Sequence, residues 1–169
     1  VDSLAMWFDL ESLLDLASLD LYTGRADHDL NVRCWRPREP DGRWRWILFD
    51  MDLWAPANEN SLERMCSATA VEAPYLPLLL AHPELGPRFI ARVEGLLATV
   101  LSKAHASQLL DSLYDTHRTA MERDHERWAQ VLERPSPRSS LEELHAHVQG
   151  RPGTLMMQLA EHTRRSLRT

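Results

Sequence analysis

The sequence predicts a mostly helical α+β domain that contains one β-hairpin. Two extended runs, residues 31–36 and 43–52, flank a turn marked by Pro40-Asp41-Gly42, and Asp-Gly between strand-like runs favours a hairpin spanning about 31–50. Elsewhere the apolar residues recur at helical spacing or the composition is that of loops. A length of 169 residues fits one domain with a real core.

We expect residues 1–169 to form this single domain. Residues 1–54 would hold a helix, a polar loop and the hairpin, and residues 75–169 a helical region. A net charge of -6 argues against a nucleic-acid partner, since such binding needs a basic surface. No apolar run is long enough to span a bilayer, so no membrane segment is expected. One disulfide or two free thiols would both suit Cys34 and Cys66.

Helix boundaries can be placed from capping residues. The first helix is expected to begin after Asp9, an N-cap residue, and to end near Gly24, a natural C-cap. Ser140, followed three residues later by Glu143, matches a capping box. Residues 55–74 are expected to be irregular. Further helices are predicted over residues 75–82, from Gly86 to about Val100, over 105–133, and over 154–167.

The second run of the hairpin bears two acids with possible metal chemistry. It becomes wholly apolar at residues 47–49, which predicts cover on both faces, and then delivers Asp50 and Asp52. Acids at i and i+2 of an extended segment share a side, and Mg²⁺ prefers one or two carboxylates together with phosphates and water. Two solvated acids at a strand end explain the pattern equally well.

A polar loop before the hairpin adds a second pair of candidates, Asp27 and Asn31. A loop Asp that accepts a hydroxyl proton, an Asn that holds metal and a later Asp such as Asp50 follow the logic of kinase-type phosphoryl transfer. Asp and Asn are also common turn residues, so a purely local role for the pair stays open.

These residues resemble the CotH kinase family, the spore-coat CotH-like atypical protein kinases. The similarity is most specific at residues 31–38 and 41–52, where a Trp-Arg strand, a Gly-Arg-Trp-Arg-Trp strand and a Phe-Asp-x-Asp end follow in the family's order. It extends to residues 8–15, 87–92 and 122–128.

The resemblance implies the C-terminal lobe of a protein-kinase-like fold. Asp27 would be the catalytic loop Asp, with Asp29 as its alternative, and the metal ligands would be Asp50, Asn31 and Asp52. It further implies Mg²⁺ or Mn²⁺ as cofactor, ATP as co-substrate, and a secreted or coat protein as phosphoryl acceptor. An extracellular, cell-surface or spore-coat location follows from the same resemblance.

Kinases also need a lysine from an N-terminal lobe to hold the nucleotide phosphates. The single lysine here, Lys103, follows the loop and lies in a helical stretch. We therefore expect the N-terminal lobe to be missing and these residues alone to show little or no kinase activity. Two alternatives remain: a non-catalytic surface or spore-coat interaction domain, and a haloacid-dehalogenase-type phosphatase in which Asp50 is the nucleophile.

Overall fold

The computed structural model describes residues 2–25, 31–67 and 74–166. Within these ranges the chain is mostly helical and contains one two-stranded antiparallel sheet, so the predicted mostly helical α+β class is confirmed. The elements, in chain order, are α1 (Asp2–Trp7), α2 (Leu10–Thr23), β1 (Arg33–Trp35), β2 (Arg45–Ile47), α3 (Ser61–Cys66), α4 (Tyr75–Ala81), α5 (Leu85–Ala98), α6 (Lys103–Leu132) and α7 (Pro137–Ser166).

Helix α2 begins and ends where its capping residues predict. The Asp9 carboxylate accepts a hydrogen bond from the Ser12 amide at 3.2 Å, which satisfies one of the free amides of the first turn. Gly24 takes the left-handed conformation, with φ 64°, and its amide bonds to the Asp20 carbonyl. A Cβ at this position would lie 2.6 Å from the Cβ of Ala55, so only glycine allows this close approach.

The predicted hairpin is confirmed, with shorter strands than the sequence indicates. β1 and β2 pair with Cys34 opposite Trp46, and the turn is closed by the Gly42 amide, which donates to the Glu39 carbonyl at 3.0 Å. The Trp46 amide donates to the Ser12 hydroxyl at 2.9 Å, and the indole of Trp46 stacks on Phe8 with ring centroids 5.5 Å apart. The hairpin is thus attached to the first turn of α2.

The expectation that residues 47–49 are covered on both faces is wrong. Ile47, Leu48 and Phe49 are 44%, 50% and 42% exposed. In β2 only Trp46 is half-buried, because the two-stranded ribbon packs against α2 and no second layer covers it within the described residues.

The core forms where α2 meets α3, α4, α5 and the middle of α7. Helix α3 contributes to this core and was not predicted within residues 55–74. The signal for α3 was local, because Asn60 is its N-cap residue. The side-chain oxygen of Asn60 accepts a hydrogen bond from the Glu63 amide at 3.3 Å. The buried apolar residues are Leu10, Leu14, Ala17, Leu21, Tyr22, Leu62, Met65, Leu76, Leu79, Leu85, Phe89, Val93, Leu155 and Leu159.

The two longest helices, α6 and α7, pair with each other. Helix α6 confirms the predicted long helix, but none of its residues is buried. Helix α7 corrects two predictions, because neither the start at Ser140 nor a separate helix from Thr154 exists. The helix starts at Pro137, a residue suited to the first helical position, after Ser136 accepts from the Ser139 amide at 3.1 Å. It continues through Pro152.

Packing explains why Pro152 does not end α7. Val148 and Leu155, on either side of it, are both buried, so core contacts on both sides outweigh the lost backbone hydrogen bond.

Both Cys34 and Cys66 are free thiols. Among the helices of the described ranges, none has the length and apolar character needed to cross a bilayer.

Candidate functional site

The two acids after β2 lie on an irregular segment rather than on an extended strand. Asp50 is exposed and has a φ of 55°, a left-handed conformation that Asp tolerates better than most residues. The i and i+2 alternation that predicted a shared side therefore does not apply here. Asp52 is also exposed.

The other sequence-predicted site residues precede the hairpin. Asn31 is half-buried, two positions before β1. Asp27 and its alternative Asp29 lie outside the described residues. No three His, Cys, Asp or Glu side chains of the described ranges converge into a metal cluster. Among the described residues, Asp50 and Asp52 offer one or two carboxylates to a cation, a number that suits Mg²⁺ when phosphate and water oxygens complete its coordination.

Arg25 connects the end of α2 to both sides of Asp50. Its side chain is 1% exposed. Nη1 donates to the Phe49 carbonyl oxygen at 2.9 Å and contacts the Met51 sulfur at 2.8 Å. Nε lies 3.3 Å from Oδ1 of Asp20, which is equally buried. The exposed carboxylate of Asp50 therefore stands on backbone that a buried ion pair supports.

Tyr75 brings helix α4 into this network. Its hydroxyl donates to Oδ2 of Asp20. Burial, followed by the charge of Asp20 and this hydrogen bond, raises the pKa of Tyr75 well above its usual value. The tyrosine consequently remains a protonated donor, and Asp20 remains the acceptor that orients Arg25.

A second set of contacts fixes the far end of the acidic segment. The Ala55 amide donates to the Thr23 carbonyl at 2.9 Å, and the Trp54 indole donates to the Met51 carbonyl at 2.6 Å. Residues 49–55 are thus attached to the C-terminal end of α2 at both of their ends.

Arg151 of α7 also supports this end of α2. It is fully buried and donates to the carbonyls of Leu21 at 2.6 Å, Tyr22 at 2.7 Å and Glu59 at 2.8 Å. The last carbonyls of a helix lack intrahelical partners and carry partial negative charge. Burial lowers the pKa of Arg151, but a guanidinium stays charged at physiological pH.

A cavity of about 720 Å³ lies beside Asp52, between residues 51–57 and α7. Trp54 and Glu143 are among its lining residues, together with His147. The imidazole of His147 lies 4.9 Å from the Trp54 ring, and its Nε2 is 3.3 Å from the Tyr22 carbonyl oxygen. Burial, and then the charge of Arg151, lower the pKa of His147, so the ring is neutral at physiological pH.

These features define a class of domain: a mostly helical α+β unit that presents carboxylates at the end of a hairpin, on backbone supported by buried arginine. The family model described as CotH kinase protein matches residues 2–155. The chain therefore belongs to the CotH kinase family, as its hairpin motifs indicated. The match covers Asp27, Asn31, Asp50 and Asp52. Comparison with curated proteins and with solved structures gave no match.

Proposed function

We propose that this chain supplies the metal-binding half of a phosphotransferase site that moves the γ-phosphate of ATP to a protein hydroxyl. One observation carries the proposal: Asp50 is a solvent-facing carboxylate on a left-handed turn whose backbone is held by buried Arg25. A merely solvated acid needs no such support, whereas a metal ligand must be pre-positioned. Membership of the CotH kinase family supports the same reading.

The proposed roles follow the chemistry of each side chain. Asp50, with Asn31 and Asp52, would hold Mg²⁺ or Mn²⁺. The cation, when bound, neutralises charge on the phosphates. Asp27 would accept the proton of the acceptor hydroxyl. The hydroxyl oxygen would then bond to the γ-phosphorus of ATP, while the bond between the γ-phosphorus and the oxygen that leaves with ADP breaks.

The nucleotide-binding lobe is proposed to dock on the exposed end of the hairpin. Ile47, Leu48, Phe49 and the nearby Leu53 are all exposed next to Asp50. Contiguous apolar surface of this kind marks interaction sites, and a lobe placed there would bring ATP phosphates to the carboxylates. We further propose that the phosphoryl acceptor is a secreted or coat protein. The corresponding location is the cell surface or the spore coat.

The two rival functions differ in what they require. A haloacid-dehalogenase-type phosphatase is built on a parallel sheet with helices on both faces, and the sheet in the described ranges is a two-stranded antiparallel ribbon. A non-catalytic interaction domain requires no metal at Asp50, so metal binding separates it from the phosphotransferase.

Calorimetric titration with Mn²⁺ and ATP tests the proposal. We expect Asp50→Asn to weaken Mn²⁺–ATP binding about tenfold or more, because it removes a ligand charge and leaves the side-chain volume unchanged. The matched control is Asp41→Asn, which alters an exposed acid in the hairpin turn and should leave binding unchanged.

Equal affinity of Asp50→Asn and the unaltered chain would refute the metal role. Absence of Mn²⁺ binding by the unaltered chain, both with and without ATP, would favour the interaction domain. Transfer of phosphate to a protein acceptor by these 169 residues alone would contradict the requirement for a second lobe.

A further inference from the structure

We propose that Arg25 is a positioning residue that sets the backbone of residues 49–51 and thereby the place of the Asp50 carboxylate. The part of this proposal that concerns metal rests on the proposed function. The part that concerns the backbone stands on the contacts of Arg25 alone.

The contacts of Arg25 bracket Asp50 in the chain. Nη1 donates to the carbonyl of Phe49, the residue before it, and touches the sulfur of Met51, the residue after it. The donor is ionised and the Arg25 side chain is buried, and both conditions strengthen a hydrogen bond to a carbonyl. Arg25 is itself fixed to α2, because its amide donates to the Asp20 carbonyl at 3.2 Å.

The conformation of Asp50 needs such a contact. An L-residue at a φ of 55° is less stable than in the extended region, and it persists only where the surroundings determine it. Once the contact to the Phe49 carbonyl is lost, we expect residues 49–51 to relax toward extended backbone, which redirects the Asp50 side chain.

Asp20 keeps the effect of Arg25 geometric rather than electrostatic. The carboxylate lies 3.3 Å from Nε of Arg25 and neutralises its charge. The Tyr75 hydroxyl holds the same carboxylate from α4. Arg25 therefore acts on Asp50 through the backbone and is not a ligand of metal or phosphate.

The test compares Arg25→Lys with Arg64→Lys. Lysine keeps the positive charge beside Asp20 but lacks the planar fork that reaches two partners at once. Arg64 offers a matched control, because it also bonds to the end of α2, with Nη2 2.7 Å from the Gly24 carbonyl oxygen, while its described ion pair is with Glu59. Each variant is measured by hydrogen–deuterium exchange of residues 49–55 and by Mn²⁺ titration.

We expect Arg25→Lys to accelerate exchange in residues 49–55 and to weaken Mn²⁺ binding about tenfold, as replacement of outer-shell partners commonly does. Arg64→Lys should leave both quantities within about twofold of the unaltered chain. Unchanged exchange in Arg25→Lys, or equal changes in the two variants, would overturn the proposal.

Two further outcomes are also decisive. If the unaltered chain binds no Mn²⁺, the proposed function loses its metal, and the exchange measurement alone judges Arg25. If Arg25→Lys does not fold, Tyr75→Phe replaces it, because this change frees one side of Asp20 and leaves the ring in the core. Faster exchange of residues 49–55 in Tyr75→Phe supports the proposal, and wild-type exchange overturns it.

Discussion

Replacement of Arg151 by Met is expected to be the most destabilising single change outside the apolar core. Arg151 is fully buried and makes short hydrogen bonds to the carbonyls of Leu21, Tyr22 and Glu59. Methionine keeps most of the apolar stem and removes every donor. The substitution therefore isolates the hydrogen bonds from the packing.

The magnitude follows from the acceptors that lose the Arg151 guanidinium. The Leu21 carbonyl loses its guanidinium donor, at a cost of about 1–3 kcal/mol for a buried acceptor. The Tyr22 and Glu59 carbonyls keep His147 and Gln158 as partners, and each loses one hydrogen bond to a charged group, which contributes about 1.5–3 kcal/mol. Two effects offset part of this sum. The variant no longer has a charged guanidinium to desolvate on folding, which is costly, and water can enter to hydrogen-bond the carbonyls. The net loss of unfolding free energy is therefore expected to be about 3–5 kcal/mol, a large share of the ~5–15 kcal/mol typical of domains.

Equilibrium urea unfolding followed by circular dichroism at the helical band measures this loss. The control is Arg92→Met, since Arg92 pairs with Asp15 at 2.6 Å but the two side chains are 39% and 41% exposed. An exposed pair contributes less than about 1 kcal/mol. If Arg151→Met prevents folding, Arg151→Lys should give an intermediate stability. A loss in Arg151→Met no larger than that of Arg92→Met would refute the structural role of these hydrogen bonds.

Two further predictions concern His147 and Gly24. Burial lowers the pKa of His147, so the unfolded chain takes up a proton near pH ~6.5 that the folded chain resists. Its contribution to stability is complete above that pH and falls below it, by up to about 1.4 kcal/mol per pH unit. Urea unfolding at pH 6.5 and 5.5 measures how much the free energy of unfolding falls between these two pH values. This fall should be smaller in His147→Gln than in the unaltered chain, whereas replacement of the exposed His117 by Gln should not reduce it. Gly24→Ala should lower the free energy of unfolding by about 3 kcal/mol, because position 24 has a left-handed φ and a Cβ there would be crowded. Gly153→Ala, where a Cβ meets open space, should stabilise the chain slightly. Equal melting temperatures of the two variants would contradict this.

The two ends of α2 depend on local signals and were predicted correctly from the sequence, whereas the local signal at Ser140 misplaced the start of α7. Asp9 and Gly24 set the limits of α2 because capping uses only residues within one turn. The continuity of α7 through Pro152 was not predictable in this way. It depends on burial of Val148 and Leu155 against other helices, and tertiary packing of this kind overrides local propensity.

The residues of the candidate site show the same distinction between local and long-range signals. Asp50 and Asn31 could be chosen from residue type and order, because their chemistry is visible in the sequence. Arg25 and Arg151 could not, since their partners lie 24 and 130 positions away in the chain. One signal was available: Arg25 directly follows the Gly24 C-cap and directly precedes the polar loop.

The C-terminal end of α2 supports the segment that carries the Asp50 carboxylate. Arg25 contacts the residues on both sides of Asp50, so support for this segment comes from α2 as well as from the two-stranded ribbon. Asp27 follows Arg25 by two residues in the chain. The proposed base therefore lies close in the sequence to the arginine that supports the segment of the proposed metal ligand. Changes that move this helix end, such as those at Arg151, should then affect the backbone around Asp50, whereas changes within the hairpin turn should not.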